Sequence, residues 1–303
     1  MLSKLVKEEL LSGAYGLVQE NIQLKEYTSF RIGGPCDLFI EPTSTKELVR
    51  SLRFLRTEKV PYYIFGNGSN ILVKDGGFSG VVIKLGKQFS DCLIDGDRVQ
   101  VQAGCLLSEL AKKSFRAGLT GMEDLSGIPG SVGGGVVMNA GAYKQEMKDV
   151  VKSVLALDQN NQIVELSNEE LDFSYRNSRL LREDMLVIEI IFQLKKGDPE
   201  AIQKRYEEVT FLRTSKQPLD RFSAGSTFKR PANGYASKLI DEAGLRGYTI
   251  GRAQVSEKHC GFLINMDEAT AKDMLALIHY VQKVVKEKFQ IDLEPEVRII
   301  GEE

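Results

Sequence analysis

Glycine spacing constrains this chain more than any other feature. Two segments, Gly66-Asn67-Gly68-Ser69-Asn70 and Gly127-Ile128-Pro129-Gly130-Ser131-Val132-Gly133-Gly134-Gly135, stand out. In the second, glycine recurs too often for a packed helix or strand interior. Glycine adopts positive φ at little cost and lets backbone approach a ligand without a Cβ in the way. Backbone N–H groups in such loops form nests for phosphate oxygens. Neither segment has the dinucleotide spacing G-x-G-x-x-G, because the first carries Ile71 where the third glycine belongs, and it lacks the P-loop lysine. A tight surface turn accounts for one such loop. Two in one half of the chain point to a pyrophosphate-containing cofactor held in another geometry.

At about 150 residues per domain, 303 residues suggest two domains or one large one. With 42% hydrophobic and 27% charged residues, a core is available without disulfide or metal staples. The net charge of -2 argues against a nucleic-acid coat or a basic membrane-surface protein, and no nucleic-acid motif occurs. Cys36, Cys92, Cys105 and Cys260 lie in or beside apolar stretches with no C-x-x-C pair, which reads as buried free thiols in a reducing compartment. With only His259 and His279 available, and far apart, no metal site is expected. The opening MLSKLVKEELLSG carries charges throughout and reads as a short amphipathic helix, not a signal peptide. No apolar run reaches the roughly 18 residues of a membrane span, so a cytoplasmic protein is expected.

Hydrophobic periodicity places strands at 36–41, 61–65 and 81–85 and a hairpin over 91–102 turning at Asp95-Gly96. Further strands fall near 150–157, 162–166 and 185–194, and Asn168–Phe173 reads as a helical turn. Helices are expected at 44–57, capped by Ser44 or Thr45, and at 106–117, closed by Gly118. The pattern changes near 197, where Asp198 caps a helix with Pro199 in its first turn, running to about 214. Helix 235–243, strands 247–254 and 259–264, helix 267–288 and strand 296–300 follow, a compact α+β unit.

Eight stretches in this order resemble the UDP-N-acetylenolpyruvoylglucosamine reductase (UDP-N-acetylmuramate dehydrogenase) family. They are Thr28–Gly34, Gly66–Asn70, Ser126–Gly134, Asn139–Tyr143, Tyr175–Arg179, Arg213–Pro218, Ala224–Lys229 and Leu293–Arg298. The resemblance implies an α+β fold: a two-lobed FAD-binding domain of the vanillyl-alcohol-oxidase or PCMH type over 1–198, with lobes of about 1–65 and 66–198. A smaller substrate-binding domain over 199–295 follows, then a C-terminal strand, 296–303, that can return to the first lobe. It implies non-covalent FAD, NADPH as reductant, a nucleotide-sugar substrate and a monomer. The family has a subtype with an extra tyrosine-bearing loop, and the stretch from Pro231 to Leu263 is too short for it.

The resemblance assigns cofactor binding to Arg31, to the two glycine segments (Gly66 to Asn70; Gly127 to Ser131 with Gly133 and Gly134), and to Asn139, Gly141 and Ala142. Arg176, Ser226 and Glu296 match the catalytic positions: an arginine on the enolpyruvyl carboxylate, a proton donor and a supporting glutamate. From the residues alone Thr227 and Glu294 remain competitors for the last two roles. Tyr175, Arg213, Lys216, Lys229 and Arg298 match substrate-facing positions, with Gln254 and Asn265 as weaker candidates. Arg230 stands where the family often has asparagine. Rival functions are another FAD-dependent oxidase or dehydrogenase of the same fold and a non-catalytic nucleotide-sugar binder.

Overall fold

A computed structural model describes residues 2–303. Helix α1 (Lys4–Leu10) precedes strands β1 (Leu17–Gln23) and β2 (Pro35–Glu41). Helix α2 (Thr45–Thr57) then crosses to β3 (Tyr62–Phe65). Ser44 Oγ accepts the Glu47 N–H at 3.3 Å while the Glu47 carboxylate accepts the Thr43 N–H at 2.7 Å, which fixes the start of α2. Its Leu48, Leu52 and Leu55 are fully buried.

After β4 (Ile71–Val73), strand β5 (Phe78–Lys84) enters between β2 and β3, parallel to both, giving the order β1-β2-β5-β3. The first sheet therefore closes only at residue 84, and the expected lobe boundary near 65 cuts through it. The reason is non-local: β5 completes a sheet whose other strands precede it.

The second sheet is antiparallel, ordered Ile163–Ser167, Val151–Leu157, Leu186–Gln193, Arg98–Gln102, Cys92–Asp95. Asp95 still pairs with Arg98, so its tight turn is Gly96-Asp97, one residue later than expected, with Gly96 at φ +61. Both sheets, α2 and helix α3 (Leu107–Arg116) share one core that includes Leu38, Leu52, Ile83, Val101, Leu110 and Ile190. Residues 168–171 form the expected turn, in which the Leu171 N–H donates to the Ser167 carbonyl at 3.1 Å.

The second glycine segment corrects another expectation. Residues Val132–Val137 form a short helix, α4, whose N-cap Ser131 accepts the Gly134 N–H at 3.3 Å. Glycine is tolerated there because α4 lies against other backbone: a Cβ on Gly133 would stand 2.7 Å from Ala103 Cβ.

Helix Pro199–Lys216, capped by Asp198, leads into the second unit. It contains helix Ala236–Glu242, a sheet of Thr249–Ile250, Ala253–Val255 and Leu263–Asn265, and helix Ala271–Phe289. That last helix starts four residues later than expected. Asp267 and Glu268 have positive φ, and Thr270 and Asp273 form the capping box. No helix among the described residues is long and apolar enough to cross a membrane.

Ties between the units include a strand pairing and two side-chain braces. Strand Arg298–Ile300 runs parallel to β4, with Arg298 opposite Ile71. Asp75 accepts the N–H groups of Ala271 and Lys272 at 2.8 and 3.0 Å. Asn265, 2% exposed, donates to the Phe30 carbonyl at 2.9 Å and accepts the Ala269 N–H at 2.9 Å. Asn265 is thus spent as a brace rather than offered to a ligand. Asn265→Ala leaves both partners buried and unpaired, so it should lower the unfolding free energy by about 3 kcal/mol. Urea denaturation checks this, and an unchanged midpoint would show the brace to carry no stability.

Candidate active site

The two glycine segments pack against each other in the wall of a cavity of about 800 Å³. The first leaves the C-terminal end of β3. Gly68 sits at φ +63, where a Cβ would collide with the Tyr27 carbonyl, and a Cβ on Gly66 would collide with Ser131 Oγ. Asn67 Nδ2 donates to the Pro129 carbonyl at 2.5 Å, stapling one segment to the other. Close approach of chain to chain therefore explains Gly66, Gly68 and Gly133. Gly130 differs, since a Cβ there meets nothing nearer than Ser69 Oγ at 3.7 Å and it borders the cavity directly.

Among the described residues the N–H groups of Asn67, Gly68, Ser69 and Asn70, and of Gly130 and Ser131, find no acceptor within the chain. All six residues line the cavity. Such a row of free donors is a cradle for anionic oxygens. Gly127, Ile128, Pro129, Gly133, Gly134, Gly141 and Ala142 also form the wall.

Arg176, Ser226 and Glu296 come together at the same cavity from three separate segments. Arg176 lies in a tight turn, at φ +54, and its Nε donates to Glu296 Oε1 at 2.6 Å. The two side chains are only 19% and 15% exposed. Glu296 is held on both sides: its N–H donates to the Thr227 carbonyl at 2.8 Å, and its carbonyl accepts from Asn70 Nδ2 at 3.1 Å. Burial pushes the Glu296 carboxyl above the usual range, and the Arg176 guanidinium opposes that rise.

The competing residues separate cleanly. Thr227 is fully buried and its Oγ1 accepts the Leu263 N–H at 3.2 Å, while Ser226 is exposed in the cavity wall. Glu294 points outward and pairs with Lys229. Arg213 and Arg298 add two cations to the wall. Arg213 meets Gln217 Oε1 at 3.2 Å, and Arg298 meets Met138 Sδ at 3.7 Å. Neither forms an ion pair among the described residues.

Seven expected site residues, the brace Asn265 among them, stand outside the wall. Arg31 pairs with Glu26 at 3.0 Å and lies over the Phe222 ring. Asn139 is fully buried, bonded to Glu146, to the Ser174 carbonyl and to the Lys148 N–H. Its side chain braces the loop and does not face the cavity. Tyr175 stacks on Arg176, with 4.9 Å from ring to guanidinium, and accepts the Arg230 N–H. Lys216 is exposed, and Lys229 is engaged by Glu294. Gln254 bonds Thr249 within its own hairpin. Sequence reasoning missed Leu219 and Phe222 in the wall, whose only signal is an apolar side chain left 47% and 45% exposed.

His259 has a structural task. Its Nδ1 accepts the Gly261 N–H at 3.1 Å, its ring meets Phe262 edge-on, and burial lowers its pKa. Cys36, Cys105 and Cys260 are buried free thiols, each pushed up to about 11 by burial. Cys92 is half-buried.

The two packed sheets and their glycine-lined cleft define a flavoprotein. Residues 36–167 match the family described as "FAD binding domain", and residues 217–300 match "UDP-N-acetylenolpyruvoylglucosamine reductase, C-terminal domain". The fold alone is shared with a solved alkyldihydroxyacetonephosphate synthase, 16% identical, at a TM-score of 0.50 over 65% of this chain and 41% of that one.

Much nearer is the crystal structure of UDP-N-acetylenolpyruvylglucosamine reductase from Thermus caldophilus. It is 37% identical with a TM-score of 0.82, covering 94% of this chain and 100% of that one. The UDP-N-acetylenolpyruvoylglucosamine reductase of Caldanaerobacter subterraneus subsp. tengcongensis is 50% identical over 98% of this chain and 97% of its own length. That of Clostridium novyi is 48% identical over 94% and 93%. The chain belongs to the UDP-N-acetylenolpyruvoylglucosamine reductase family.

Burial raises the Glu296 pKa, and Arg176 and, less strongly, Lys229 lower it, so Arg176→Ala removes the main lowering influence and leaves the raising one. Glu296 should then titrate at higher pH than in the unaltered protein. A carboxyl carbon NMR titration checks this, and an unchanged or lowered pKa would show that the pair is not electrostatically coupled.

Proposed function

We propose that this chain reduces UDP-N-acetylenolpyruvoylglucosamine to UDP-N-acetylmuramate, with NADPH as reductant, for peptidoglycan precursor synthesis. The observation that supports it is the convergence of Arg176, Glu296 and Ser226 on a cavity walled by free backbone N–H groups. The donors of residues 67–70 and 130–131 suit the pyrophosphate of FAD, and the room of about 800 Å³ suits a large ligand. Held there, FAD would supply hydride transfer from NADPH to the terminal enolpyruvyl carbon, a transfer that would leave negative charge on the adjacent carbon and its carboxylate.

Fixed positive charge near that carboxylate is what the reaction then needs. Arg176 offers it. Its Nε is occupied by Glu296, so the guanidinium is locked in orientation and its remaining N–H donors are left for the substrate carboxylate. Ser226 Oγ gives its proton to the adjacent carbon. A serine hydroxyl is a weak acid, so this works only because a carbanion is a strong base. Glu296 orients Arg176 and, with its raised pKa, holds a proton more readily than an exposed carboxyl. Arg213 and Arg298, cations without carboxylate partners among the described residues, suit the anionic groups of the nucleotide sugar. Tyr175, outside the wall, stacks on Arg176 and supports that arginine rather than the substrate.

Ser226→Ala should leave reduction of the flavin by NADPH nearly intact and slow reoxidation by the enolpyruvyl substrate by about a hundredfold. Stopped-flow absorbance resolves the two half-reactions. Reoxidation at the unaltered rate would remove Ser226 from proton donation.

A further inference from the structure

Lys84 ends the strand β5 after Val81, Val82 and Ile83, all fully buried, and Leu85 after it is 4% exposed. A cation in this place is out of keeping with its neighbours. Its register partner on β3 is Phe65, the residue just before the first glycine segment. From there the Lys84 ammonium donates to the carbonyl oxygen of Gly66. Among the described residues it forms no ion pair. Burial works against its charge, and Glu41 offsets this only in part.

A planar trans peptide points its carbonyl oxygen and its N–H in opposite directions. Holding the Gly66 carbonyl on the Lys84 side therefore turns the Asn67 N–H to the other side. That N–H has no acceptor among the described residues, and Gly66 and Asn67 both border the cavity. One side chain thus does two things: it aims the first donor of the cradle and places a positive charge behind it.

We propose that Lys84 is a positioning residue for the FAD pyrophosphate, charging and orienting the 66–70 cradle from behind without touching the ligand. This rests on the reading above that FAD places its pyrophosphate against that segment. A lysine that merely stabilised the loop would support every flavin alike. A lysine that serves the pyrophosphate would support FAD and leave riboflavin, which has no phosphate, nearly untouched.

The test is fluorescence titration of the apoprotein with FAD and with riboflavin, for the unaltered chain and for Lys84→Met, Lys84→Gln and Lys84→Arg. Lys84→Met should weaken FAD about tenfold or more and riboflavin by less than about threefold. Lys84→Gln, which keeps a polar group but no charge, guards against a Met variant that does not fold and should lose the same preference. Lys84→Arg should restore most of the FAD affinity. Equal loss for both flavins, or no loss for FAD, would overturn the proposal. If the unaltered chain bound riboflavin as tightly as FAD, the pyrophosphate reading itself would fall, and the proposal with it.

Discussion

The ion pair between Arg176 and Glu296 is the contact on which the site depends. Its partners are 120 positions apart and lie on different units, yet they meet at 2.6 Å with little exposure to water. A charge taken out of water is costly unless paired, so removing either partner strands the other. Glu296 reaches this place because the chain leaves the second unit and strand Arg298–Ile300 adds itself beside β4, directly after the first glycine segment. Asn70 ties that segment to the Glu296 carbonyl, and Thr227, next to Ser226, accepts the Glu296 N–H. The first glycine segment, Arg176 and the segment that carries Ser226 are thereby referred to one residue.

Opposed influences on that residue also shape its chemistry. Burial favours the neutral carboxyl, and the guanidinium favours the charged one, with burial the larger. Similar opposition recurs at Lys84, where burial acts against charge and Glu41 supports it. Perturbed groups of this kind gather where a fold is built to handle charged ligands. Here Glu296 borders the cavity and Lys84 stands behind its wall.

Much of this was legible in the sequence, for identifiable reasons. Ser44 and Asp198 mark helix starts because capping is local, and Leu48, Leu52 and Leu55 mark the buried face of α2 because helical periodicity is local. The density of glycine pointed to the cavity loops, although Gly66, Gly68 and Gly133 serve chain-to-chain approach and Gly130 borders the open space. What the pattern could not show depends on distant partners. The insertion of β5 between β2 and β3, the burial of Asn139 and Asn265 as braces, and the choice of Ser226 over Thr227 are set by residues far away in sequence. The α4 helix was missed because its glycines are excused by packing against Ala103, which no local rule reveals.

The visible spectrum of the purified protein under anaerobic conditions tests the account most directly. The account predicts a yellow protein whose flavin absorption is bleached by NADPH and restored by one equivalent of UDP-N-acetylenolpyruvoylglucosamine. A flavin that NADPH does not reduce, or one that regains its colour only when oxygen is admitted, would contradict it.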